Sequence, residues 1–212
     1  MGLAALVTLG AQTGCVTSLR ELLGISKSGA VEGSVVVQRA LSESAGPPWV
    51  VVYLERLDGE RQTRDPLAVE TIRQTASSFS PELLAVAPGQ TVRFSNEDGV
   101  YHQVFSSSEP NTFDLGLIKS DESREVTLTQ DGAIRVYCSL HPWESGVIFV
   151  APTSHFHTLQ PPGRYEILDV PPGRYRLSTW GDALPSANRV VTVEPGQSSS
   201  IELSIEGGGA VR

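Results

Sequence analysis

Two ten-residue stretches stand in tandem, PPGRYEILDV (161–170) and PPGRYRLSTW (171–180), and they limit what this chain can fold into. Each opens on Pro-Pro-Gly, and proline inside a helix removes a hydrogen bond and clashes with the preceding turn. What remains in each is a corner followed by a short run that reads as a strand. The same rhythm governs most of the chain. LLAVAPGQTVRFSN (83–96) reads as strand, Pro-Gly turn, strand, with Val92 and Phe94 on one face and Thr91 and Arg93 on the other. REVTLTQDGAIRVYC (124–138) repeats the form around Asp131-Gly132, so that Ile134, Val136 and Cys138 point one way and Arg135 and Tyr137 the other. GVIFVAP (146–152) is a nearly continuous apolar strand. VEGSVVVQRA (31–40) and WVVVYLE (49–55) read as two strands around a Ser/Gly/Pro turn, a polar stretch follows at 58–66, and RVVTVEPGQSSSIELSI (189–205) reads as a hairpin. Only TSLRELLG (17–24) offers a turn or two of helix. With 20 glycines and 14 prolines, the expected class is all-β.

The 212 residues suffice for one large domain or two small ones, and the texture changes near residue 152. A formal charge of −8 repels phosphate backbones, which argues against nucleic acid as a partner. MGLAALVTLGAQTG (1–14) is apolar and uncharged, too short to span a bilayer as a helix, and like the apolar part of a secretory signal without its basic start. No integral membrane span is therefore expected. Cys15 follows Gly14 as the acylated cysteine of a lipoprotein would, although Gln12 suits the third upstream position poorly. The expectation is an exported protein of the periplasm or cell envelope, with Cys15 as a site for a lipid anchor. The competing reading is a frayed N-terminus with a misplaced start.

YCSLHPWESG (137–146) sets a thiol, an imidazole and a carboxylate at intervals of three: Cys138, His141 and Glu144. Cys-x-x-His alone is a weak signal, because a buried structural cysteine is the commoner explanation, and pairing with Cys15 in an oxidising compartment competes with a metal role. A second element strengthens it. FSNEDGVYHQVFS (94–106) leaves a strand, turns through Asn96, Asp98 and Gly99, and enters another strand at His102. Two strand ends of a sandwich can bring His102 beside Cys138 and His141. Two imidazoles and a thiolate are what a mononuclear copper electron-transfer centre needs: soft sulfur for Cu(I) and nitrogen acceptable to both oxidation states.

The motifs FSP (79–81), VAPGQTVRFSNED (86–98), YHQVFS (101–106), FDLG (113–116) and CSLHPWE (138–144) occur in an order that resembles a cupredoxin, of the plastocyanin-like, methylamine-utilisation type. The resemblance covers about residues 69–152. It implies a Greek-key β-sandwich holding one copper ion, with His102 and His141 as imidazole ligands and Cys138 as the thiolate. Two positions depart from the family pattern. Gln103 stands where Asn is usual, and Glu144 stands where the weak axial methionine belongs; the one methionine of the chain is Met1, so an axial thioether is excluded. Glu144 as axial ligand, as an outer-shell or solvent-facing carboxylate, and as the mark of a lost site all stay open. A carboxylate favours Cu(II) and tolerates zinc better than a thioether does; the red copper type offers a precedent for a glutamate ligand.

GRYEILDVPPGRYRLSTW (163–180) resembles a carboxypeptidase-regulatory-like β-domain, a small Ig-like or transthyretin-like sandwich, and the strands at 31–55 resemble the opening of that domain. The expected division is 1–28 as export or lipoprotein leader with linker, 66–152 as the cupredoxin domain, 30–57 plus 153–206 as the second sandwich into which the cupredoxin is inserted, and 207–212 as a tail. A piece of roughly 50 residues buries too little surface to stand alone, and residues 30–57 repair that. The implied function is one-electron transfer between redox partner proteins of the cell envelope by a carrier that is not an enzyme. The alternatives are non-redox binding of copper or zinc for storage, delivery or sensing, a red-copper-like enzyme with an open coordination position, and an envelope interaction module with a degenerate site. His155 and His157 in SHFHT (154–158) alternate; they are expected as exposed linker histidines, with a second metal site as the sharper reading. Trp143 is expected as a docking surface or a shield against water. Asp114 and the acids of KSDESRE (119–125) are expected as a solvated face. No nucleophile-elbow pattern supports a hydrolase.

Overall fold

The computed structural model describes residues 27–38, 48–59, 68–75 and 78–206. Every regular element in them is a strand: β1 (Gly29–Val37), β2 (Val50–Arg56), β3 (Glu70–Thr75), β4 (Ser78–Ser80), β5 (Leu83–Val86), β6 (Gln90–Asn96), β7 (His102–Ser106), β8 (Phe113–Ile118), β9 (Ser123–Leu128), β10 (Gly132–Cys138), β11 (Ser145–Val150), β12 (Phe156–Leu159), β13 (Gly163–Val170), β14 (Gly173–Gly181), β15 (Asn188–Val193) and β16 (Ser198–Ile205). The all-β class expected from the turn spacing is what the chain adopts. The leader, Cys15, the helical turn expected at 17–24, most of the polar stretch 58–66 and the tail 207–212 lie outside the described residues. Among the described residues no helix is long and apolar enough to cross a membrane.

Four sheets form: I (β13-β1-β16), II (β12-β2-β14-β15), III (β5-β11-β10-β7-β8) and IV (β4-β3-β6-β9). Three apolar layers hold them together. Val31, Val52, Leu54, Ile167, Leu177, Val193 and Leu203 fill the space between sheets I and II. Ile72, Val92, Phe94, Val104, Ile134, Val136 and Ile148 fill that between sheets III and IV. Val51 of sheet II meets Leu83, Ala85 and Phe149 of sheet III, with Trp180 packed against them. The Trp180 and Phe149 rings stack at 4.4 Å and 11°.

This third layer explains the unbroken apolar runs. In β2, Val50, Val52 and Leu54 face sheet I while Val51 and Tyr53 face sheet III. In β11, Ile148 and Val150 face sheet IV while Val147 and Phe149 face sheet II. Strands covered on both faces need apolar residues at every position, so alternation vanishes from their sequence. Edge strands such as β9 keep it.

β1 pairs with β13 and β16, and β2 pairs with β12 and β14, so the two early strands belong to sheets built by the last third of the chain. Strands β3 to β11 lie between them in sequence and supply all of sheets III and IV. Tyr165 ties β13 to β16 over β1 within sheet I, donating its hydroxyl to the carbonyl of Ile201 at 2.8 Å. Gly33 lies beneath that bond, where a Cβ would come within 1.7 Å of the Ile201 oxygen.

One expectation is corrected. Residues 189–205 are not a hairpin: β15 pairs with β14 in sheet II, and β16 pairs in parallel with β1 in sheet I. The Pro195-Gly196 turn carries the chain from one sheet to the facing one, because Val191 and Val193 on one strand and Leu203 and Ile205 on the other all belong to the same apolar layer. The Pro88-Gly89 and Asp131-Gly132 turns act likewise, joining β5 to β6 and β9 to β10 across the second sandwich. Gly89 holds φ +84°, a conformation that favours glycine.

Candidate metal centre

At one end of the sandwich formed by sheets III and IV the apolar layer gives way to polar groups. Inward alternation on β10 buries Ile134, Val136 and then Cys138, its last residue. On β7 the inward row starts at His102, which is fully buried. The loop 139–144 closes against both strands: Ser139 N–H donates to the Gln103 carbonyl at 3.0 Å, Glu144 N–H to the His141 carbonyl at 2.9 Å, and Cys138 N–H to the Glu144 carbonyl at 3.3 Å. That closure turns Glu144 inward, with 0% of its side chain exposed. The solvent-facing alternative for Glu144 is thereby corrected: the loop returns to β10 through its backbone, and the side chain has only the interior to enter.

The four side chains meet. One donor atom each from His102, Cys138, His141 and Glu144 lies within 4.8 Å of every other. Cys138 Sγ is 3.7 Å from His102 Nδ1 and 3.6 Å from His141 Nδ1, and the two Nδ1 atoms are 3.1 Å apart. Glu144 Oε2 is 3.2 Å from His102 Nδ1, and Oε1 is 3.3 Å from His141 Nδ1. Bonds of about 2.0 Å from nitrogen and about 2.3 Å from sulfur separate donors around one ion by roughly 3–4 Å. The spacing fits. Glu144 Oε1 is buried without a hydrogen-bond partner, and leaving a buried acceptor unpaired costs on the order of 1–3 kcal/mol. A cation at the centre removes that cost.

Two residues that sequence reasoning did not assign to the site hold its donors. Asp98 presents both carboxylate oxygens to His102 Nε2 at 3.2 Å. A carboxylate accepts, so the ring proton belongs on Nε2 and Nδ1 turns its lone pair to the cluster. Asp98 is itself held by the loop: its carboxylate accepts from Val100 N–H, and its own N–H donates to Asn96 Oδ1. Buried Asn96 in turn donates to the carbonyls of Val100 and Ile118. Gln74, on the inward face of β3, donates from Nε2 to Glu144 Oε2 at 3.1 Å. The signal for Gln74 was a polar residue on the apolar face of ETIRQT, next but one to Ile72. For Asp98 it was a carboxylate four residues before a histidine, across a glycine turn.

The remaining expected residues are placed as follows. Gln103, in the position where the resemblance expects Asn, donates to the Asp114 carboxylate at 3.0 and 3.1 Å. Asp114 is thus exposed but engaged. Trp143 is 65% exposed, its ring centroid 5.4 Å from that of His141. His155 is buried rather than exposed, because its backbone carbonyl accepts from Leu54 N–H and draws the segment onto β2. His157 lies on β12 with Nδ1 3.1 Å from the Glu166 carbonyl, and the two histidines form no metal-type cluster among the described residues. Cys138 is a free thiol.

No family model matches the chain, and no curated protein matches it. Solved structures do. A purple cupredoxin from Nitrosopumilus maritimus is similar at 26% identity over 39% of this chain and 99% of that one, with a TM-score of 0.36. A mutant amicyanin in the oxidized state is similar at 20% identity over 39% of this chain and 82% of that one, with a TM-score of 0.37. A reduced, Cu(I) form of another amicyanin mutant is similar at 16% identity over 47% of this chain and 99% of that one, with a TM-score of 0.38.

Proposed function

We propose that this chain is a copper-binding electron carrier of the cupredoxin type, with His102, Cys138, His141 and Glu144 as ligands to one ion. The observation that carries the reading is the convergence of one sulfur, two nitrogens and one carboxylate oxygen within 4.8 Å at a buried strand end. Copper bound there supplies a one-electron couple. The chain's own residues hold the donors rigid: Asp98 orients His102, the loop backbone fixes Cys138 and Glu144, and Gln103 braces β7 against β8 through Asp114. Rigid donors reduce rearrangement between oxidation states. Of the four, His141 is the one that reaches the surface, with 20% of its side chain exposed. Its imidazole edge beside Trp143 is the short route between the ion and a redox partner.

A second reading, storage or delivery of copper or zinc without electron transfer, draws on Glu144. A thiolate and a carboxylate together balance a divalent ion and leave Cu(I) one negative charge in excess, so the site favours divalent ions. Export to the cell envelope, a lipid anchor at Cys15 and redox partner proteins there belong to the proposal on the strength of residues 1–15. The carboxypeptidase-regulatory-like identity of the sandwich made by sheets I and II rests on the sequence resemblance.

The test is reconstitution with Cu(II), followed by metal analysis, a visible spectrum and reduction by ascorbate. One copper per chain and a thiolate charge-transfer band that ascorbate bleaches and air restores are expected. Tight zinc binding with no reversible reduction supports the second reading. A Cys15–Cys138 disulfide in the purified protein overturns both.

A further inference from the structure

We propose that Gln74 is a positioning residue that makes Glu144 a one-oxygen donor, reserving Oε1 for the ion; this rests on the metal reading above. Gln74 is fully buried on β3, where the strand's alternation calls for an apolar side chain beside Ile72. Its amide Nε2 donates to Glu144 Oε2, which also lies 3.2 Å from His102 Nδ1. Oε2 is thus the oxygen held by a hydrogen bond, while Oε1, 3.3 Å from His141 Nδ1, has no hydrogen-bond partner. The amide oxygen of Gln74 is itself buried and unpartnered. A side chain kept in an apolar row at the cost of an unpaired oxygen must act through its N–H group, and the carboxylate it reaches is that of Glu144.

The backbone makes this grip rigid. Gln74 lies in register with Asn96 on β6, and its carbonyl accepts from Glu97 N–H at 3.0 Å. The strand that carries the amide is therefore fastened to the same 96–102 segment that carries Asp98 and His102. With Gln74 present, a carboxylate that is otherwise free to rotate about its last bond offers one oxygen at one place. Without it, the carboxylate swings toward two-oxygen binding or away from the ion.

The experiment uses the full chain and Gln74→Met, which keeps length and removes the donor, each in the native and Glu144→Met backgrounds. Zn(II) affinity by chelator competition and the Cu(II) electron paramagnetic resonance spectrum are the readouts. Removing an outer partner of a metal ligand lowers affinity by about 10- to 100-fold. A loss of about tenfold or more with an altered copper hyperfine splitting is expected in the native background, and neither change in the Glu144→Met background. Unchanged affinity and spectrum overturn the proposal, and so does an equal loss in both backgrounds, which marks a structural role. Failure of the native protein to bind Zn(II) or Cu(II) overturns the metal reading first, and this inference with it. Where Gln74→Met does not fold, the side-chain amide protons of Gln74 in the zinc-loaded native protein decide: slow exchange and a shifted resonance are expected, and rapidly exchanging, unshifted protons overturn the assignment.

Discussion

The two sandwiches treat buried polar groups in opposite ways. Between sheets I and II the large polar side chains are closed off by their own partners. Tyr165 reaches the Ile201 carbonyl, and Tyr175 donates to the Pro171 carbonyl while the Arg56 guanidinium lies over its ring. Between sheets III and IV, polar groups accumulate at one end and are left incomplete. Of the three buried side-chain atoms without a hydrogen-bond partner among the described residues, Glu144 Oε1 and Gln74 Oε1 belong to this end. This second interior is incomplete where its donors converge, and that incompleteness is what points to an ion.

The sharpest test of this contrast is Cys138→Ser. The variant is expected to lose the thiolate charge-transfer band of the copper-loaded protein entirely, while its circular dichroism stays that of a folded β protein. Collapse of the fold would mean that Cys138 serves the apolar layer instead. Next in size is Glu144→Met. One charge a few ångströms from the ion at an effective dielectric near 20 is worth at most ~5 kcal/mol. With about 59 mV for each tenfold change in a one-electron couple, voltammetry at neutral pH is expected to show the native potential lower than that of Glu144→Met by ~100–200 mV. Equal potentials would remove Glu144 from the ligand set.

A change in the other sandwich should move stability and leave the metal alone. Leu177 is fully buried between sheets I and II, and Leu177→Ala is expected to cost about 2–5 kcal/mol in denaturant unfolding with an unchanged copper spectrum. A changed spectrum would show that the stacked Phe149 and Trp180 transmit strain between the sandwiches. The smallest effect is alkaline. Burial pushes the Tyr165 hydroxyl from 10.0 up to about 12. The folded state therefore keeps its proton longer than the unfolded chain does. The contribution is full below pH 10 and is lost as pH rises from about 10 through about 12, amounting to roughly 2–3 kcal/mol. Denaturant midpoints across that range are expected to fall for the native protein and to fall less for Tyr165→Phe.

Much of this molecule is legible along the chain, and the errors have one cause. Period-2 alternation correctly sorts Ile134, Val136 and Cys138 from Arg135 and Tyr137. Turn residues mark the strand breaks at Pro88-Gly89, Asp131-Gly132 and Pro195-Gly196. Neither signal says which sheet the next strand joins, so residues 189–205 read as a hairpin and fold as an arch between two sheets. The exposed reading of His155 failed for the same reason, since it follows a proline and a serine but is drawn in by a partner about a hundred positions earlier.

For the site, the identity of the donors was readable because three of them share one short loop at intervals of three. Where they point was not. Cys138 meets His102 across 36 positions, and Gln74 meets Glu144 across 70. No local pattern specifies such distances. Composition and spacing determined by themselves that the fold class is all-β and that a thiol, two imidazoles and a carboxylate are at hand. Packing of sheet III on sheet IV decided that the carboxylate turns inward, that Asp98 takes the outer nitrogen of His102, and that Gln74 takes one oxygen of Glu144. The physical reason is that a side chain's face is set by its own strand, while its partners are set by whichever strand the rest of the chain lays against it.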